Sequence, residues 1–226
     1  MIEQYREHYA TLKGYGRNAF FSSFDGGHTA DEYFLLAQQN WNLNFFPAAV
    51  KHVKSLHGKT CLEIGFGGGG MLLAAATSFS KVCGIEIHGQ GKYVLDELIA
   101  HDANADVYLV ECDGESIPWY EPTFDFVFSW VVFLHLSLYQ VEGYLSCIPQ
   151  ALNQEGIALI FYSPTDIGIR EYEEDRVNMC RLQISDDSFG ELAAYHGLEV
   201  LYTVQCLRPN GTQGHQHGAV MRRIER

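Results

Sequence analysis

Positive charge is scarce in this chain: fifteen Lys and Arg stand against twenty-eight Asp and Glu in 226 residues, a formal net charge of −13. Neutralising phosphates requires clustered cations, so no nucleic-acid partner is expected. Long hydrophobic runs are also missing. No uncharged apolar stretch reaches the length of a membrane-spanning helix, and none is expected. The opening residues, MIEQYREHYATLKGYGR, lack the apolar segment of a secretory signal. The six cysteines never form Cys-x-x-Cys, and Cys61, Cys83 and Cys112 fall in or beside apolar runs, where free cysteine behaves as a small hydrophobe. A reduced, cytoplasmic protein is the expectation. Asn210-Gly211-Thr212 reads as an Asn-Gly turn rather than a glycosylation site. The 47% hydrophobic and 19% charged composition is that of an ordinary globular chain.

Aromatics and glycine are plentiful instead. Up to about residue 57 the chain is helical in pattern, with Tyr33, Phe34, Trp41, Phe45 and Phe46 forming an aromatic stripe that either packs the core or covers a pocket. After Lys59 short apolar runs (60–64, 81–87, 107–111, 124–130 and 156–162) alternate with helical patterns (71–79, 92–101 and 138–152). Alternation of this kind implies crossover units and a mostly parallel sheet covered on both faces. Pro149 is expected to kink or shorten the last of these helices. A helix from Asp186, capped by Ser185 and stopped by Gly197, then precedes LEVLYTVQC and GAVMRRIE, two strands with no helix between them and therefore an antiparallel hairpin. The fold class is α/β, Rossmann-like and doubly wound, with seven strands.

In such sheets ligands bind beyond the carboxyl ends of the strands. The first strand delivers CLEIGFGGGG, residues 61–70, with Glu63 followed by five glycines in six places. Glycine permits positive φ and close approach of a ligand to main chain. The second strand delivers Glu86, suited to a ribose diol, and the third Asp113, suited to an exocyclic amine. The fourth delivers Ser129, with His135 beyond it.

This succession resembles the class I S-adenosylmethionine-dependent methyltransferases. Their first motif, acid-x-Gly-x-Gly-x-Gly, is matched by Glu63, Gly65, Gly67 and Gly69. The resemblance implies that Glu86 holds the ribose, that Ile87 lies against the adenine, and that Asp113 with Gly114 meets the adenine amine, Ile117-Pro118 completing that pattern. Phe124-Asp125 and His135-Leu136 also look like the family. It covers about residues 58–163, and the closing hairpin is similar to the family's last two strands. It therefore implies S-adenosylmethionine as cofactor, S-adenosylhomocysteine as product, and a methyltransferase domain over 58–226. Residues 1–57 form a helical, aromatic lid segment, and an insertion at 164–184 is a second cover for a small-molecule acceptor.

Gly65, Gly67 and Gly70 also satisfy a dinucleotide fingerprint, so an NAD(P)-dependent oxidoreductase is the rival. It leaves Glu63, Asp113 and the terminal hairpin without a role. A non-catalytic methyltransferase-like binding domain is the third reading. His135 is the candidate general base, with His28 a further candidate. His215 and His217 stand in what reads as a turn, with no carboxylate or cysteine nearby in sequence to complete a ligand set, so no metal is expected. Arg170, Arg176 and Arg181 either hold an anionic acceptor or pair with Glu171, Glu173, Glu174 and Asp175.

Overall fold

The run from Gly156 to Tyr162 is apolar on both faces, as a central parallel strand must be. It forms the middle of β5 (Leu152–Pro164). The computed structural model describes residues 29–89, 91–100, 105–118, 123–172 and 181–225. His28, Arg176 and the expectations for 1–28 lie outside these residues, as do Glu173, Glu174 and Asp175.

The other central strands are β1 (Thr60–Ile64), β2 (Lys81–Glu86), β3 (Asp106–Glu111) and β4 (Phe124–Ser129). They order as β3-β2-β1-β4-β5, all parallel. The hairpin of β8 (Leu198–Leu207) and β9 (Gln213–Arg223) closes the far side, β9 pairing antiparallel with β5. These are the seven expected strands. His215 and His217 therefore lie within β9 and not in the turn before it, because pairing with β8 begins at Gln213. The inserted segment adds β6 (Ile169–Glu171) and β7 (Leu182–Ile184), an antiparallel pair whose β7 runs beside the end of β5, with Ser163 opposite Gln183.

Helices cover both faces. α1 (Ala30–Asn40) starts at a capping box in which Thr29 and Glu32 satisfy each other's backbone N–H. A π-turn (Trp41–Phe45) joins it to α2 (Phe46–Val53). α3 (Gly70–Ala76) and α4 (Gly91–Ala100) follow β1 and β2. α5 (Leu138–Ala151) and α6 (Asp186–Tyr195) pack on the opposite face. α5 continues past Pro149. That residue forfeits only one bond near the helix end, while Tyr144, Leu145, Ile148 and Ala151 stay buried against the sheet.

Side chains alternate between two apolar layers, as the two-residue strand period demands. Phe126, Phe128 and Phe161 face α1 to α4, whereas Val127, Ile160 and Tyr162 face α5 and α6. Trp41 and Phe45 have no exposed surface; they stack at 5.8 Å and meet Phe128 edge-on. These two aromatics therefore pack the core, where truncating such a ring costs about 3–5 kcal/mol.

Candidate active site

Strand order reverses between β1 and β4, and a sheet of this kind opens its ligand crevice there. β1 ends in a glycine turn. Gly65 (φ +76°) donates its N–H to Ile85 O at 2.8 Å, and Gly69 (φ +77°) donates to Phe66 O at 2.7 Å. Both are in the left-handed region, and a Cβ at Gly65 would run into Val132, one at Gly69 into Val94. No other residue fits there. The turn leads into α3, and Gly70 donates to the Tyr33 hydroxyl of α1 at 3.2 Å.

Glu86 closes β2 and faces this turn. Its carboxylate accepts from Gly67 N at 2.9 Å and from Ile87 N at 2.7 Å. Burial pushes its pKa up, and backbone bonds from Gly67, Ile87 and His88 work against that rise. His88, 3% exposed, stands with Nε2 3.7 Å from the same carboxylate.

Glu63 is the most unusual group of the site. It is 2% exposed, and its Oε2 has no hydrogen-bond partner among the described residues. Burial, then the neighbouring Glu86, pushes its carboxyl well above the usual range, opposed only by a backbone bond from Leu72. A buried polar atom left unpaired costs about 1–3 kcal/mol, and no described residue offsets that cost at Glu63. A cationic group fits it best, because it would also favour the charged form of the carboxyl.

Asp113 and Gly114 lie beyond β3. Asp113 accepts from Glu115 N, Ser116 N and Ser116 Oγ, each at 2.8 Å; burial alone would raise its pKa, but these bonds hold it below the ordinary value. It thus organises its own turn, and the carbonyl of Gly114 accepts from Gln140 of α5 at 3.3 Å. An opening of about 380 Å³ borders Asp113, and another of about 500 Å³ borders Phe66 and His88; Glu63 lines neither.

Ser129 is fully buried and donates to Ile64 O at 2.9 Å, tying β4 to β1. Val131, two residues on, has φ +58°, a strained conformation for a β-branched residue. His135 ends the 3₁₀ turn Phe133–His135, and burial lowers its pKa.

The structure therefore gathers Glu63, Gly65, Gly67, Gly69, Glu86 and Ile87 at the ends of β1 and β2, with Ser129 beside them. Asp113 and Gly114 stand one strand further out, and His135 stands on the β4 side. Val94 and Val132 reach the site by tertiary packing and His88 by following Glu86, none with a sequence signal, while Tyr33 of the aromatic stripe reaches the glycine turn. A further polar group sits at the end of β5: Tyr162 Oη donates to Asp186 Oδ1 at 2.7 Å, and His217 Nδ1 is 2.8 Å from the same oxygen. Arg181 lies 3.5 Å from Glu171.

Residues 62–160 match the family described as "Methyltransferase domain". No curated protein matches the chain by sequence. Among solved structures, the chain is similar to the mitomycin 7-O-methyltransferase MmcR (TM-score 0.65, 18% identity), covering 92% of this chain but spanning only 57% of that one. The 1,6-didemethyltoxoflavin-N1-methyltransferase of Burkholderia thailandensis, bound to S-adenosylhomocysteine, gives a TM-score of 0.64 at 18% identity over 97% of this chain and 91% of that one. The [4+2]-cyclase SpnF gives 0.62 at 14% over 88% and 84%, so the fold alone does not specify methyl transfer. Strand order, terminal hairpin and the matched segment agree: the chain has the Rossmann-like methyltransferase fold, and its residues 62–160 carry the match to the methyltransferase domain.

Proposed function

We propose that this chain transfers a methyl group from S-adenosylmethionine to a small-molecule acceptor. The observation that carries the reading is the buried, unfilled carboxyl of Glu63 beside Glu86 and the glycine turn. S-adenosylmethionine supplies an electrophilic methyl on a sulfonium, so the chain's task is to bind, align and exclude water rather than to activate.

Glu63 takes the ammonium of the cofactor's amino-acid tail. Gly65, Gly67 and Gly69 let that tail approach main chain. Glu86 keeps acceptor capacity for the ribose hydroxyls beyond the backbone bonds it accepts. Ile87 lies along the adenine, Asp113 and Gly114 meet its amine, and Ser129 fixes the strand end beneath. Of the segments 1–57 and 164–184, the described residues outside the core are the proposed cover for the acceptor. The net charge of −13 and the five free cysteines among the described residues fit a cytoplasmic enzyme acting on small molecules.

Thermal unfolding with excess S-adenosylmethionine, S-adenosylhomocysteine, NAD or NADP tests the cofactor half. Either S-adenosyl compound at one hundred times its dissociation constant should add about 2.7 kcal/mol of stability, and Glu86→Ala should remove the effect. A shift with NAD or NADP alone would replace this reading with the oxidoreductase one. Formation of S-adenosylhomocysteine across an acceptor screen then separates an enzyme from a binding domain.

A further inference from the structure

The end of β5 holds an orienting pair that no sequence motif marks. Asp186 begins α6, immediately after its N-cap Ser185. Burial alone would raise its carboxyl, but the bonds from Tyr162 and His217 hold it below its ordinary value. A carboxylate only accepts, so Nδ1 of His217 carries the hydrogen that reaches it, and the neutral ring keeps its lone pair on Nε2. Nε2 bonds to no described residue, and the His217 side chain keeps 27% of its surface exposed. Tyr162 is fixed from behind by stacking on Phe189 at 4.2 Å.

Strand register places this group. Ser129 pairs with Ile160, and Tyr162 pairs with His217. His217 is therefore level with Val131, the strained residue beyond β4, and two strand spacings away, about 10 Å. The turn carrying His135 packs on β5 and β7, and Leu134 O accepts from Arg181 N at 2.7 Å. The segment after β4 thus packs on the end of β5 and on β7, the strand that leads into α6.

We propose that His217, oriented by Asp186, removes the proton from a hydroxyl acceptor during methyl transfer, which makes the acceptor an alcohol, phenol or enol rather than a free amine. This rests on the methyl-transfer reading above. His217 Nε2 takes the hydroxyl proton while the oxygen's electron pair forms the new bond to the methyl carbon. The pair of the broken carbon–sulfur bond stays on sulfur, and the proton passes from the imidazolium to solvent. Asp186 stabilises that imidazolium. Burial of His135 favours only the neutral ring, which is why the pair at β5 suits the role better.

The full chain with ¹⁵N-labelled histidine and bound S-adenosylhomocysteine reports the tautomer by two-bond proton–nitrogen correlations. The expected result is an Nδ1–H ring at His217, lost to a mixture in Asp186→Asn, with S-adenosylhomocysteine affinity unchanged. An Nε2–H ring, or a tautomer indifferent to Asp186→Asn, overturns the proposal. Turnover is read with phenol, catechol and 4-hydroxybenzoate, with aniline as the amine control. His217→Gln should lower kcat on the hydroxyl probes about 10²–10⁴-fold while leaving KM unchanged. Equal rates in the two proteins, turnover of aniline alone, or bound S-adenosylhomocysteine with no hydroxyl probe turned over would each overturn it. Failure to bind S-adenosylhomocysteine at all would instead remove the methyl-transfer reading beneath it.

Discussion

Glu63 and Asp186 stand near the carboxyl edge of one sheet, and their surroundings drive them in opposite directions. At the end of β1, burial and the nearby Glu86 push Glu63 towards its neutral form, and one oxygen finds no partner. At the end of β5, Asp186 is half exposed and holds two donors on one oxygen, which keep it ionised. In the first region one carboxyl oxygen has no partner among the described residues, the place we assign to the cofactor's ammonium. The second is internally complete, and what it offers outward is a ring nitrogen. One end is shaped to bind, the other to take part in proton transfer.

The largest effect should come from the glycine turn. Gly69→Ala combines a positive φ with a collision against Val94, and is expected to cost about 2–4 kcal/mol in urea unfolding. Gly211→Ala, in the β8–β9 turn at φ +80° with nothing within 4 Å, should cost only the conformational part, about 1–2 kcal/mol. Equal losses would show that backbone strain alone, and not the closeness of α4, makes the turn demand glycine.

The two regions also differ in what the sequence discloses. Glu63 to Gly70 is contiguous, and Glu86 closes the next strand, so local order and the strand–helix alternation reveal the binding end without three-dimensional information. Tyr162, Asp186 and His217 come from a strand, a helix start and an antiparallel strand, 24 and 31 residues from Asp186. No period links them. In sequence His217 pairs only with His215, which invites a metal reading, while its actual partner lies on α6. Seven strands and the main helices were legible because each has its own apolar pattern. The short β6 and β7 were not, since Ile169–Glu171 is exposed throughout and too short to alternate. Tyr33 and Trp41 belong to one aromatic stripe, yet one bonds the glycine turn and the other fills the core; only packing separates them.

Next in size is Glu63→Gln. A raised carboxyl contributes stability that is full below its ordinary value of 4.5 and is lost as pH rises towards its folded value. The wild type should therefore lose stability from about pH 4.5 upwards relative to Glu63→Gln, as read from urea midpoints across pH. The same variant should bind S-adenosylhomocysteine about 10–100-fold more weakly, the equivalent of one charge-assisted hydrogen bond. If stability tracks pH identically in both proteins, Glu63 is already ionised and the contrast with Asp186 disappears.

Tyr162→Phe probes the opposite end with the smallest change. The ring keeps its stacking on Phe189, so only the hydroxyl's bond to Asp186 is lost. Asp186 is 41% exposed, which lets water replace that donor, and the expected cost is about 0.5–1.5 kcal/mol at neutral pH. A lowered carboxyl contributes stability above its ordinary value of 3.8 and loses it as pH falls towards the folded value. The variant should therefore lose less on acidification than the wild type, the reverse of the slope at Glu63. His217 remains as the other donor, so its Nδ1–H tautomer should survive. Loss of that tautomer in Tyr162→Phe would mean that the hydroxyl, and not the imidazole, fixes where the Asp186 carboxylate points.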